Sequence, residues 1–125
     1  MVQAEGIQSV NWNAPDPAAA ERFYVEVLGG KVTNRHQVRG VDVVRVRVGS
    51  TGLGLFDASH GPASGVPHHT FRMTWQPDQS QATAAIEATG VPVVNSRPHG
   101  DGPGYSLYVT DPIGNYLELS FDPPA

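Results

Sequence analysis

The chain has no cysteine. Disulfides, thiolate metal sites and a thiol nucleophile are therefore excluded. Only one of its basic residues, Lys31, is a lysine, and the formal net charge is −4. General nucleic-acid binding needs a positive field and is not expected. No stretch approaches the roughly 20 apolar residues of a membrane span, and the N-terminus carries no apolar run of signal-peptide length. A cytoplasmic protein with no membrane partner is the expectation. The Gly-rich loops lack the GxGxxG and GxxxxGK[ST] patterns and their strand–helix context, so no nucleotide cofactor is expected.

The 125 residues, with 14 Gly and 11 Pro, imply one domain of short elements and many turns. The clearest stretch runs from Tyr105 to Leu119. Leu107 and Val109 alternate with Ser106, Tyr108 and Thr110. Leu117 and Leu119 alternate with Tyr116 and Glu118. A period of two marks half-buried strands, and Asp111-Pro112-Ile113-Gly114-Asn115 between them is turn chemistry. Glu118 thus projects from mid-strand between two leucines. It is either a solvated edge carboxylate or a functional one.

Earlier in the chain, Ile7 to Ala14 alternates as a strand. Asp16 reads as an N-cap and Pro17 as the first helical residue. Ala20, Phe23, Tyr24, Val27 and Leu28 form an apolar helix face that ends at Gly29-Gly30. Strands are expected over Lys31 to His36, Val41 to Val48 and Leu53 to Asp57. After a Gly/Pro/Ser-rich linker over 59–67, the order recurs. His68 to Trp75 is a strand, with His68 on the face of Thr70 and Arg72, and His69 beside Phe71 and Met73. Asp78 and Gln81 form a capping-box pattern, and Ala82, Ala85, Ile86 and Thr89 line the helix that Gly90 ends. Val91 to Asn95 is a strand, Arg97 to Gly104 a loop, and the hairpin closes the set. The chain therefore reads as α+β, a single domain over 1–125 of two β-α-β-β-β modules, about 1–58 and 68–125. Leu53-Gly54-Leu55 corresponds to Leu117-Glu118-Leu119. Modules this short cannot cover both sheet faces alone.

These residues resemble the vicinal oxygen chelate superfamily, the glyoxalase, bleomycin-resistance and extradiol-dioxygenase group. The resemblance rests on Asn13-Ala-Pro-Asp16 with Arg22-Phe-Tyr-Val-Glu-Val-Leu-Gly-Gly30, on Pro67-His-His-Thr-Phe-Arg72, and on the closing Ser106-Leu-Tyr…Asp-Pro-Ile-Gly-Asn…Leu-Glu-Leu119. It implies a cupped mixed sheet with helices on the outer face, and a homodimer that shares cups between chains. It also implies one divalent metal (Fe, Mn, Ni or Zn) on strand positions that match His68 and Glu118 in the second module. In the first module the same positions are Ser9 and Gly54, which are poor ligands. His69, His99 or Asn11 would have to compensate.

Within such a cup, Arg45 and Arg47 either bind an anionic substrate bidentately or form a solvated strand face. With Ser106, Asn11 and Ser9 they make up the candidate substrate-binding set. Tyr108 is either a proton donor or a floor-filling aromatic, and with Glu118 it forms the candidate catalytic pair. His99 reads as a solvent-exposed loop residue. The implied function is a small-molecule enzyme acting on vicinal oxygens by metal-assisted lyase, isomerase or dioxygenase chemistry. The alternative is a metal-free, antibiotic-like binding protein using the same cup.

Overall fold

A computed structural model describes residues 2–125. These residues form eight strands and two α-helices in the order of two β-α-β-β-β repeats. The strands are β1 (Ala4–Ala14), β2 (Lys31–Val38), β3 (Val41–Val48), β4 (Thr51–Asp57), β5 (His68–Met73), β6 (Asn95–Pro98), β7 (Tyr105–Thr110) and β8 (Tyr116–Phe121). The helices are α1 (Pro17–Arg22) and α2 (Gln79–Glu87). The fold is α+β, as the repeat implied. No helix of the described residues is long and apolar enough to cross a membrane.

The chain divides into two compact units, Gln8–His68 and a second containing His69–Ala125 together with the residues up to Ile7. In the first unit the strand order is β2-β3-β4-β1. The pairs β2–β3 and β3–β4 are antiparallel, and β1–β4 is parallel, so the sheet is mixed. One face buries Ala14, Val46, Leu53 and Leu55 against Ala20, Tyr24 and Val25 of the helical segment. The other carries Asn11, Gly54 and Arg45 side by side in register.

The start of α1 follows its sequence signals. Asp16 Oδ1 accepts from Ala19 N at 3.1 Å, and Pro17 occupies the first turn, where its missing N–H is no loss. Its end does not follow the i, i+3, i+4 pattern. Phe23–Val27 is a π-helical turn, and the extra residue in a π turn shifts the phase of every side chain after it. Val25 therefore packs on the core, while Phe23, Val27 and Leu28 are exposed. Gly30 stops the segment by close approach, because a Cβ there would lie 2.8 Å from Tyr24 O and 2.9 Å from Val46. The 59–67 segment is tied down to the first unit. Asn13 Nδ2 donates to Val66 O at 3.1 Å, and Asn13 Oδ1 accepts from Ala63 N at 2.8 Å.

In the second unit the order is β5-β8-β7-β6, with β6–β7 and β7–β8 antiparallel. Its core is Met73, Ala82, Ile86, Tyr105, Leu107, Val109, Leu119 and Phe121. Asp78 caps α2 through Gln81 N at 3.1 Å, but the return half of the capping box is replaced: Asp78 N donates to Gln76 Oε1 at 3.0 Å. The strand expected over Val91 to Asn95 lies further on. Pro92 has no N–H to give a ladder, Val93 N is taken by Glu87 Oε2 at 3.2 Å, and β6 begins only at Asn95. Arg97 is therefore a strand residue and not the start of a loop. The β7–β8 turn is closed by Asp111, whose Oδ1 accepts from Ile113 N at 3.0 Å and Asn115 N at 2.8 Å, with Gly114 at φ 92°. The Asn115 side-chain amide, which donates to Asp111 Oδ2 at 2.9 Å, lowers the Asp111 pKa foremost, and the backbone hydrogen bonds add to it.

Candidate active site

Register decides which side chains meet on the second unit's sheet. Arg97 pairs with Ser106 and Ser106 with Ser120, while Asn95 pairs with Tyr108 and Tyr108 with Glu118. Directly paired residues point to the same face. Arg97, Ser106, Tyr108 and Glu118 thus converge on the face opposite the Leu107/Leu119 core. That face is more enclosed than a half-solvated strand pair, with Ser106 at 0 %, Glu118 at 8 % and Tyr108 at 9 % exposure.

A buried carboxylate needs donors to offset its lost hydration. Glu118 has three. Thr70 Oγ1 donates to Oε1 at 3.2 Å, and Ser106 Oγ and Arg97 Nη2 donate to Oε2 at 2.7 and 2.9 Å. Arg97 also donates through Nε to the Tyr108 hydroxyl oxygen at 3.1 Å. Its pKa is raised, by the hydrogen bond to Tyr108 foremost and by the Glu118 charge as well. Burial pushes the Tyr108 pKa up, keeping the phenol protonated with its O–H available to donate. Tyr116 stacks on Tyr108 at 5.3 Å between ring centroids.

Beyond Ser106 the polar contacts continue. His99 Nε2 lies 2.7 Å from Ser106 Oγ, and His99 Nδ1 lies 2.7 Å from Asp122 Oδ1. Gly104 makes room for this pair: a Cβ at position 104 would collide with Asp122 Oδ1 and crowd His99 Nδ1. Its φ is not in the left-handed region, so space and not backbone conformation calls for glycine there.

The first unit holds a separate constellation. Arg45 Nη1 donates to Asn11 Oδ1 at 2.7 Å, and Arg45 Nε donates to His36 Nε2 at 3.0 Å. Asn11 is 2 % exposed. Because its Oδ1 is the acceptor for Arg45, its Nδ2 is the group that faces His68 Nε2 at 3.0 Å and donates to it. His68 Nδ1 then carries the proton, which it donates to Gly65 O at 3.0 Å. Two independent partners thus fix one tautomer. Gly54 lies beneath: a Cβ there would run into Asn11 Oδ1 and Arg45 Nη1. The place where a ligand side chain would project from the first module is filled by an amide and a guanidinium.

Of the predicted set, the structure therefore groups Glu118, Tyr108 and Ser106 in one unit, and His68, Asn11 and Arg45 in the other. Arg47 is not beside Arg45's partners. It is exposed and donates to Ser50 O at 3.3 Å. Ser9 pairs with Gly52 and is half-buried. His69 Nδ1 is buried without a hydrogen-bond partner. His99 belongs to the Glu118 network and is not a solvated loop side chain. Arg97, Thr70, Asp122 and Gly104 did not stand out in the sequence. For Thr70 the signal was present: it shares the parity of His68, on the polar face of β5.

His68 and Glu118, the residues matched to metal-ligand positions, fall in different units, and each carries hydrogen-bond partners of its own. The His68 Nε2 lone pair accepts from Asn11, and Glu118 Oε2 accepts from both Ser106 and a guanidinium. Among the described residues no group of three or more His, Cys, Asp or Glu is placed to hold an ion. A cleft of about 550 Å³ lies elsewhere in the first unit, lined by Pro17, Glu21, Arg35, His36, Asp42 and Asp57. Arg35 there is locked bidentately to Glu21 at 2.7 Å for both bonds, and Asp42 accepts from the neutral Gln37 amide at 2.8 Å.

With the geometry in place, comparison with known proteins locates the chain. The sequence profile of the Glyoxalase/Bleomycin resistance protein/Dioxygenase superfamily matches residues 6–119. The chain belongs to this superfamily. Its fold is similar to methylmalonyl-CoA epimerase from Mycobacterium tuberculosis, with TM-score 0.70 and 18 % identity over 97 % of this chain and 90 % of that one. A methylmalonyl-CoA epimerase in complex with methylmalonyl-CoA and NH4+ gives TM-score 0.68 and 18 % identity, over 96 % of both chains. The 2,2',3-trihydroxybiphenyl 1,2-dioxygenase of Sphingomonas wittichii strain RW1 gives 0.64 and 23 % identity, over 94 % of this chain and 42 % of that one. A search of curated protein sequences gives no match.

Proposed function

We propose that this superfamily member is an enzyme that moves a proton next to a carbonyl in a small molecule with vicinal oxygens. This is isomerase or lyase chemistry, with Glu118 as the acid–base group and no resident metal. One observation carries the reading: a buried carboxylate in mid-sheet is held in place by Thr70 and Ser106 while a guanidinium lies against it. Proton abstraction beside a carbonyl needs a positioned base and a group that stabilises the oxyanion as it forms. Arg97 supplies the second. Its side chain is 55 % exposed. Its Nη1 has no hydrogen-bond partner among the described residues, so it is open to a substrate oxygen. Tyr108, held neutral, offers a second donor to that oxygen. Among the described residues no group of three His, Cys, Asp or Glu is placed as a two-His-one-carboxylate iron site would need.

The covered Gly54 position favours a second reading, a metal-free binding protein in which the acid–base pair serves only to hold a ligand. One experiment separates the two. The protein is incubated in D2O with a panel of small α-oxygenated acids and thioesters, and loss of the proton α to the carbonyl is followed by 1H NMR. Catalysed exchange is expected that survives dialysis against a chelator and falls at least about 100-fold in Glu118→Gln. Ligand binding without exchange anywhere in the panel would leave the binding protein. Exchange abolished by the chelator and restored by a metal would overturn the metal-free assignment.

A further inference from the structure

Phe23, Tyr24, Val27 and Leu28 stand at helical spacing, and a continuous α-helix would turn all four towards the core as one stripe. The π turn over Phe23–Val27 prevents this by re-phasing the side chains. Tyr24 and Val25 pack on the first unit's core, while Phe23 is 48 %, Val27 65 % and Leu28 50 % exposed. Val32, at the start of β2, is 37 % exposed. It pairs with Val46, a core residue on the helix-facing side of the sheet, so it points to the same side as the π turn. β2 is the outer strand, and no further strand covers this side. The other large exposed apolar residues, Ile7, Val94 and Ile113, lie in separate stretches of the chain. Apolar residues scattered singly over a surface are ordinary, but four gathered between positions 23 and 32 mark a contact surface.

The neighbouring side chains are charged. Arg22, Glu26 and Lys31 are exposed, and none makes a side-chain hydrogen bond or ion pair among the described residues. An apolar centre with a polar rim is the anatomy of a protein contact. The rim carries both signs, so a partner of one strong charge, such as nucleic acid or an anionic membrane, finds no single-signed field here. A second copy of the same chain does find its complement. In a two-fold contact the patch meets itself, and every cross-pair is made twice. With the π turn of one copy lying on the β2 start of the other, Glu26 faces Lys31 on both sides of the axis, around the shared Phe23, Val27, Leu28 and Val32.

We infer that this surface is the meeting face of two copies of the chain, centred on Val27 and Leu28 and matched by Glu26–Lys31 pairs between copies. The contact lies on the side of the first unit's sheet opposite Asn11, Gly54 and Arg45. It therefore differs from the shared cups that the resemblance implied. A standard stable interface covers about 800 Å² per partner. Four half-exposed side chains approach that only together with their charged neighbours, so the dimer is weak, with a Kd of about 1–100 µM.

The test is sedimentation equilibrium of the full chain from about 1 to 200 µM, a range that brackets this Kd. Wild type should pass from monomer to dimer across it. Val27→Asp, at an exposed position, places two like charges at the centre of the contact and should raise the Kd at least about 100-fold. Glu26→Lys turns two attractive pairs repulsive and should raise it about tenfold. Adding Lys31→Glu to Glu26→Lys should bring the Kd back to within about threefold of wild type. Melting curves check that each variant is folded, and if Val27→Asp is not, the charge exchange decides alone. Wild type that stays monomeric throughout overturns the interface. A dimer whose Kd none of the folded variants moves also overturns it, because the copies then meet on another face. A double variant no tighter than Glu26→Lys overturns the two-fold arrangement.

Discussion

Replacing Ser106 by alanine removes one hydroxyl that serves two partners, the buried Glu118 and the partly open His99. The magnitude follows from what each partner loses. Glu118 keeps Thr70 and Arg97 but forfeits a 2.7 Å hydrogen bond to an ionised group from a donor at 0 % exposure. Such bonds contribute about 1.5–3 kcal/mol. His99 is partly open and can turn its Nε2 to water, so its loss adds little. The expected destabilisation is about 2 kcal/mol, which lowers the melting temperature by about 6–10 °C for a chain of this size. In urea it moves the midpoint by about 1 M, with the transition read from tryptophan fluorescence. Ser120 is the internal control. It pairs with Ser106 on the same face and is 3 % exposed, but its hydroxyl makes no hydrogen bond among the described residues. Ser120→Ala should therefore stay within about 0.5 kcal/mol of wild type. Equal effects of the two substitutions would refute the reasoning, because burial of a serine and not support of Glu118 would then be the source of the cost.

Two further outcomes follow from the geometry. Gly54→Ala, at a position without a left-handed backbone, should destabilise by about 1–3 kcal/mol by forcing Arg45 and Asn11 apart, and Asn11→Ala in the same chain should recover part of that loss on chemical denaturation. Asp111 has its pKa lowered below the ordinary 3.8, so the stability it lends the hairpin is full above that value and is lost as pH falls through the folded pKa. Asp111→Asn should thus differ from wild type near neutrality, and the difference should shrink towards zero in acid unfolding curves below about pH 3.8.

The repeat, the hairpin and both helix starts were legible in the sequence because each is written in local terms: alternation, a Pro-x-Gly turn, an acid before the first helical residues. Glu118 was legible for the same reason, as a carboxylate on the wrong background. Arg97 was not. Pro98, Gly100, Gly102, Pro103 and Gly104 make its neighbourhood read as loop, and the four-residue strand that holds it exists only because β7 pairs with it. His99 read as a solvent-exposed loop residue for the same reason, since only the return of the chain at Gly104, whose O accepts from His99 N at 2.9 Å, brings that ring against Ser106. The π turn was hidden for another reason: apolar residues stand at every position either helix type would bury, so periodicity did not distinguish them. The metal expectation came from resemblance at His68 and Glu118. The hydrogen bonds that those two side chains make, to Asn11 and to Ser106 and Arg97, are what no spacing rule reveals.

The filled space above Gly54 bears on how reversible the difference between the two modules is. A side chain restored at position 54 by one substitution meets the Asn11 amide and the Arg45 guanidinium before it meets any ligand. Both of those groups are also anchored elsewhere, Asn11 on His68 and Arg45 on His36. The route back to a ligand at that position passes through at least three coordinated replacements, each unfavourable alone. The first module is thus a ratchet: it holds its non-ligating state by packing, and further substitutions will alter its amide and guanidinium chemistry more easily than they will rebuild a carboxylate.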